Sequence, residues 1–313
     1  MRVLVTGGAG FIGSSLCESL LGKGHEVLCV DNFDDYYNPK AKHKNIKACL
    51  ENEKFKLVEA NILDDEAMET AFSEFKPERI AHFAAFAGVR ASLQDPVGFM
   101  DLNSNGTIKL LDLSIKHEAG GFLLASTSAV YGKPEKSVFL EDTNIMPLSP
   151  YAISKRTAEL FCYQYSQING LNISIPRFFT VYGPRQRPDM AIHKFTKLID
   201  EGKEIPVFGS LESERDYAYI SDVTNAVCAA LEKNPEFEIF NLGHSKPTSL
   251  GKVVSTIEKN LEKKAKIKIL PWQDCEPHST CAGIEKAERL LNFKPKTSFE
   301  EGIEKFIEWY KNC

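Results

Sequence analysis

Tyr151 and Lys155 stand four residues apart in SPYAISK (149–155), at the head of a segment with helical periodicity. That spacing puts both side chains on one face of a helix. A free phenol titrates at about pH 10, so tyrosine serves as a base only where its phenolate is stabilised. A neighbouring ammonium does this, and so does the positive charge of an oxidised nicotinamide. Upstream, STSAVYG (126–132) ends an apolar run and brings Ser126 and Thr127 toward the same place. Thr127 can hydrogen-bond the hydroxyl that Tyr151 would deprotonate. Together these residues predict oxidation of an alcohol, which requires a hydride acceptor.

The N-terminus supplies a candidate site for one. VLVTGGAGFIGSSL carries Gly7, Gly10 and Gly13 around Phe11 and Ile12, directly after a strand-like run and opening a helical one. Glycines at this spacing let the backbone turn tightly and approach a pyrophosphate, whose charge the helix N-terminus favours. The next apolar run, VLCV, ends in Asp31 and Asn32. A carboxylate there accepts hydrogen bonds from both adenosine ribose hydroxyls and repels a 2′-phosphate, so the expected cofactor is NAD rather than NADP. Asn61-Ile62 and Phe83-Ala84-Ala85 follow later strand-like runs, where they would flank the adenine and let the backbone pass close to the cofactor.

The elements that must position these groups alternate. Strand patterns at 3–6, 25–30, 54–60, 78–84, 121–126 and 171–177 are separated by helical patterns at 13–23, 40–52, 64–75, 100–117 and 150–169. This rhythm predicts an α/β fold, a Rossmann-type doubly wound parallel sheet with helices on both faces. A helix at 221–233 and a strand at 238–243 return to it. After residue 177 the texture changes to Pro-, Arg- and Gly-rich loops, with helices near 191–202, 249–263 and 299–311 and a short strand, KIKIL. The expected division is residues 1–176 with 216–245 as the NAD-binding domain. Residues 177–215 and 246–313 would form a smaller, interleaved C-terminal lobe for the substrate.

Composition narrows the class. The 313 residues are 43% hydrophobic and 26% charged, with a net charge of −5, which speaks against nucleic acid as a partner. No apolar run approaches the roughly 20 residues that span a bilayer, and MRVLVTGG is no signal peptide. Eight cysteines at 17, 29, 49, 162, 228, 275, 281 and 313 form no CxxC pair. Neither metal nor disulfide use is expected, and a reducing cytoplasm is the implied location. The lysines of KAKHKNIK and LEKKAKIK read as solvated faces.

With these motifs assembled, the chain resembles the extended short-chain dehydrogenase/reductase family of NAD-dependent nucleotide-sugar epimerases and dehydratases. TGGAGFIG, HFAA, DLNSNGT, STSAVYG, SPYAISK, RFFTVYGP, ERDYAYISD and FNLG carry the resemblance over nearly the whole length. It implies Tyr151 as base, Lys155 on the nicotinamide ribose, Thr127 assisting and Asn103 bracing the catalytic helix. It also implies hydride transfer from a sugar carbon to leave a 4-keto sugar, and a homodimer built on helices around 100–116 and 150–169. Dehydratases and decarboxylases of the family carry acids where this chain has Ser128 and Ala129, which leaves epimerisation at C4.

AGVRAS (87–92) and PRQRPDMA (184–191) look like segments of UDP-glucuronate 4-epimerases. An anionic sugar would be met by hydroxyls of Thr127, Ser128 and Thr180 and by the charge of Arg187 or Arg90, with Met190 alongside. Arg185 and Arg187 also read as loop ion pairs or diphosphate contacts, Arg90 as a partner of Asp95, and Arg177 as structural. The resemblance places Arg215 on the UDP diphosphate, Val207 and Phe208 beside the uracil, and Glu276 near the nucleotide, with Gly283 replacing a usual Asp. Alternatives are a UDP-glucose or UDP-N-acetylglucosamine 4-epimerase, or a non-catalytic nucleotide-sugar or NAD-binding protein.

Overall fold

The computed structural model describes residues 1–134, 137–272 and 277–312. Its central sheet is parallel throughout. It is formed by β1 (Arg2–Thr6), β2 (Glu26–Asp31), β3 (Phe55–Glu59), β4 (Arg79–His82), β5 (Phe122–Leu124), β6 (Ser126–Thr127) and β7 (Ile173–Phe178), joined later in the chain by Phe237–Leu242. The central strands carry fully buried runs such as VLV and VLCV, as a sheet covered on both faces requires, while the edge strand β3 is only partly buried. From one edge the order is Phe237–Leu242, β7, β5, β4, β1, β2, β3, with β6 extending the pairing onto β7. Chain direction across the sheet reverses between β1 and β4. Their carboxyl ends therefore open a crevice at the switch point, where ligands of such sheets bind.

Two apolar layers enclose the sheet. One gathers Leu16, Leu20, Val223 and Val227 from helices Phe11–Gly22 and Ile220–Lys233. The other gathers Phe72, Leu110, Leu111, Ala158 and Cys162.

Beyond β7 the chain adds β8 (Thr180–Tyr182), β9 (Glu204–Phe208), β10 (Glu214–Tyr219), β11 (the Phe237–Leu242 strand), β12 (Pro247–Ser249) and β13 (Lys266–Leu270). β12, β10 and β8 make a three-stranded sheet, and β13 pairs with β9. Tyr182 packs against Tyr217, Tyr219 and Phe299, which fastens the three-stranded sheet to the last helix, Phe299–Lys311.

One element departs from expectation. The helical pattern at 100–117 is not continuous: Pro96–Met100 passes through a π-helical turn, Asp101–Asn105, before regular helix resumes at Gly106–Lys116. Such turns recur at functional sites. This one carries Asn103.

Candidate active site

A single elongated cleft of about 770 Å³ runs along the carboxyl ends of the strands and over the small sheets. Gly7, Gly10, Phe11, Ile12 and Gly13 line its cofactor bank together with Asp31 and Asn32. Gly7 adopts φ +65°, and a Cβ there would come within 2.6 Å of the Ala84 amide nitrogen. A Cβ on Gly13 would overlap the Gly7 carbonyl, so only glycine allows the turn and helix to pack this closely. Asp31 accepts from the Ala9 and Phe33 amides at 3.0 and 2.9 Å, which holds the carboxylate at the tip of β2. Asn61, Ile62, Phe83, Ala84 and Ala85 complete this bank. A tight positive-φ turn, a helix N-terminus and an acid at the next strand end form a cradle that fits a dinucleotide.

The reactive groups lie where this bank meets the other. Ser149 caps helix Pro150–Asn169 by accepting from the Ala152 amide at 3.2 Å. Tyr151 thereby occupies the first turn, where the helix dipole favours an anion. Burial pushes the Tyr151 phenol up, while its hydrogen bond with Thr127 and the nearby charge of Arg187 pull it down. Thr127 is fixed in turn by accepting from the Ala129 amide at 3.1 Å. One turn later, burial lowers the Lys155 ammonium to about 8, opposed by Cys162 and Glu159. Lys155 Nζ donates to the Ala125 carbonyl at 3.0 Å. Thr127 and Arg187 both act on Tyr151 in the direction that favours its phenolate.

On the sugar bank, Ser128, Thr180, Arg187, Met190, Arg90, Phe208 and Arg215 all line the cleft. The cations arrive already engaged. Arg187 donates Nε and Nη2 to Asp189 at 3.0 and 2.8 Å and stands 5.6 Å over the Tyr36 ring. The Arg90 guanidinium lies 3.9 Å over Phe208, and Arg215 donates to the carbonyls of Glu214 and His278. Arg185 pairs with Glu18 at 2.6 Å, on the helix that opens behind the glycines.

The comparisons with known proteins agree with this geometry. A family model described as GDP-mannose 4,6 dehydratase matches residues 4–306. A UDP-glucuronate 4-epimerase of Thermodesulfobacterium geofontis is 41% identical over 310 residues, 98% of this chain and 95% of that protein. The chain belongs to the extended short-chain dehydrogenase/reductases. Among solved members of the family, the Bacillus cereus UDP-glucuronic acid 4-epimerase in complex with UDP-glucuronic acid and NAD matches with a TM-score of 0.95 at 35% identity, covering 100% of this chain and 99% of that one. The Thermotoga maritima UDP-glucose 4-epimerase with UDP-glucose matches at 0.92 and 32%, with the same coverage.

For this short-chain dehydrogenase/reductase, several sequence expectations need correction. Val207 is completely buried in the core. Side chains alternate along β9, so Pro206 and Phe208 face the cleft and Val207 cannot. Asn103 is absent from the cleft wall. It accepts from the Phe86 amide at 2.8 Å, and its Nδ2 donates to the Phe86 carbonyl at 2.9 Å and to Ser154 Oγ at 3.0 Å. It thereby ties helix Pro150–Asn169 to the segment at Phe86, and it does not line the cleft. Asp95 caps its own helix through the Gly98 amide. Gly283 packs against Leu140 and donates to the Phe139 carbonyl, with no room for a larger residue unless Leu140 shifts. Glu276 lies outside the described residues.

Sequence reasoning also missed residues. Lys42, assigned to a solvated face, is only 7% exposed, lines the cleft and stands 3.9 Å from Asp31. The signal was present: Lys42, Asn45, Ile46 and Cys49 fall at i, i+3, i+4 and i+7, and all four are the buried face of helix Pro39–Leu50. Tyr36, Tyr37, Lys194 and Trp272 also reach the cleft from segments without a motif.

Proposed function

We propose that this chain is an NAD-dependent UDP-glucuronate 4-epimerase that interconverts UDP-glucuronate and UDP-galacturonate. Tyr151, hydrogen-bonded to Thr127, takes the proton from the C4 hydroxyl and later returns it. Bound NAD supplies the hydride acceptor at C4 and then the hydride donor to the opposite face of the 4-keto sugar. Gly7, Gly10, Gly13, Asp31 and Lys155 would hold that cofactor.

The observation that carries the reading is the chemistry at the strand end. Ser128 and Ala129 line the cleft beside the dyad. The family's dehydratases and decarboxylases carry a carboxylic acid at that place. Among the described residues lining the cleft, the carboxylates are Asp31, Asp34 and Asp189, of which Asp189 is bound on both oxygens by Arg187. What remains is hydride return.

A 4-keto glucuronide is a β-keto acid, which loses carbon dioxide when its carboxylate bond aligns with the carbonyl π system. Hydroxyls of Thr127, Ser128 and Thr180, with Arg187, would hold the carboxylate out of that alignment. Phe208 and Arg215 would take the uridine diphosphate. The protein from Bacillus cereus, with its UDP-glucuronic acid complex, supports this choice of sugar over a neutral one.

The reading includes a division of labour along the chain, with residues 1–176 and 216–245 serving the cofactor and 177–215 and 246–313 serving the sugar nucleotide. Pairing of β11 with β7 supports the return. It also includes a homodimer in the cytoplasm. Ile153, Leu160 and Tyr163 expose one apolar stripe on helix Pro150–Asn169, and the six described cysteines are free.

Incubating the purified protein separately with UDP-glucuronate and UDP-glucose, and reading C4 inversion by NMR, tests the function. Inversion of UDP-glucose alone would replace this reading with the neutral-sugar one. Thr180→Ala is expected to release carbon dioxide and UDP-pentose. Normal epimerisation by that variant would end the clamp.

A further inference from the structure

A charged cluster lies directly behind the catalytic groups, and the reaction described above does not use it. Tyr151, Lys155 and Glu159 recur every four residues and so form one stripe of the same helix. Glu159 is 1% exposed, and its carboxylate accepts from three side chains. Ser126 Oγ donates at 2.6 Å, Arg177 Nε and Nη2 at 2.9 and 2.8 Å, and Arg156 Nη1 at 2.9 Å. Arg177 is wholly buried and donates further to the Tyr131 hydroxyl at 2.9 Å. Tyr131 donates onward to Asn241 Oδ1 on β11 at 2.7 Å.

The location matters more than the pairing. Ser126 and Thr127 constitute β6, and their register partners on β7 are Arg177 and Phe178. The residue before Thr127 is therefore held by Glu159 through its side chain, and by the strand carrying Arg177 through its backbone. A buried ion pair seldom adds net stability over a well-packed apolar pair, because desolvation offsets the attraction. Fold stability alone does not call for charges here.

We propose that Glu159 is a positioning residue for hydride transfer: through Ser126 it fixes the strand end that presents Thr127 to Tyr151, and Arg177 anchors it in that role. This rests on the reading of Tyr151 and Thr127 given above. Its charge acts as well, by favouring the ammonium form of Lys155 against burial. The other titratable groups facing Lys155 are Tyr151 and Cys162 on its own helix and His82 on β4. Burial and the lysine's charge hold the His82 imidazole neutral, well below its usual range.

The test separates positioning from folding with a double variant, Glu159→Met with Arg177→Met, which removes both buried charges. It is expected to keep the wild-type thermal midpoint and bound NAD. Its kcat should fall roughly 10- to 100-fold with KM little changed, as small misplacements of a reacting group do. Its kcat should also begin to fall at a lower alkaline pH, as Lys155 loses its proton earlier. A stable double variant with wild-type kcat and pH profile overturns the proposal. If that variant does not fold, Ser126→Ala decides, because it removes only the hydroxyl that Glu159 grips. A lowered kcat at unchanged KM supports positioning, and wild-type kcat overturns it. The assay uses whichever of UDP-glucuronate and UDP-glucose the wild type inverts, so a wrong sugar refutes the function without touching this inference. Inactivity on both refutes the two together.

Discussion

On one bank of the cleft the polar groups are backbone amides and a carboxylate that they hold; on the other they include long cationic side chains that are already engaged. Asp31 is held by two backbone amides, and Gly7 lets one backbone pass another. Opposite them, Arg187 is clasped by Asp189, Arg90 lies on Phe208, and Arg215 holds two carbonyls. The first bank presents fixed dipoles that need no rearrangement to meet a pyrophosphate. The second presents cations that are already engaged, of which Arg187 is charge-paired with Asp189.

The largest expected effect lies where the banks meet. Tyr151→Phe should lower kcat about a thousandfold, within the range general acid–base groups contribute. NAD should remain bound, as read from cofactor absorbance of the purified protein. Retained turnover would move the proton-transfer role elsewhere.

On the cofactor bank, Asp31→Ala should weaken NAD binding at least about 100-fold, since two hydrogen bonds to a charged group contribute about 1.5–3 kcal/mol each. Calorimetric titration checks this, and unchanged affinity would mean the bank does not depend on its acid. On the sugar bank, neighbouring residues should part company. Phe208→Ala should raise KM about tenfold with an unchanged melting temperature. Val207→Ala should leave KM alone and lower stability by about 2 kcal/mol, the scale of a core truncation. Equal effects on KM would undo the assignment of faces on β9.

The smallest shift is electrostatic, and it is read separately from any carbon dioxide that loss of the Arg187 hold releases. The guanidinium of Arg187 helps keep the Tyr151 phenol from rising further. Arg187→Met removes that positive charge, so the phenolate is less favoured and its pKa rises. At any pH below it a smaller fraction is deprotonated, and activity should be lost first on the acid side of the kcat profile. An unmoved acid limb would show that Asp189 already cancels this influence.

The same contrast explains what was legible in the sequence. Strands β1 to β5 and the glycine turn are local patterns, because apolar runs and glycine spacing are dictated by the elements themselves. Tyr151 and Lys155 were legible for the same reason: a helix converts their spacing into proximity. Lys42 was overlooked although its spacing marks one face of Pro39–Leu50, because a lysine-rich segment reads as solvated until the fold shows that this face meets the sheet. Arg177 and Arg187 illustrate the limit most directly. Both belong to one short stretch and both hold a carboxylate on two nitrogens. Only the fold decides that one carboxylate lies eighteen residues away in a sealed core and the other two residues away at the mouth of the cleft. The π-helical turn at Asn103 had no sequence signal at all, since DLNSNGT suits a regular helix equally well.

The ion pair between Arg185 and Glu18 ties the loop beside the sugar to the helix that opens behind the glycines. Such a bridge is a contact through which binding at one end could be felt at the other, and any assistance of that kind is reciprocal in affinity. If a sugar nucleotide raises the affinity for the dinucleotide through this bridge, the dinucleotide raises the affinity for the sugar nucleotide by the same factor. For a catalyst whose redox equivalents are borrowed and returned within one turnover, such reciprocity would keep the loan from leaving before it is repaid.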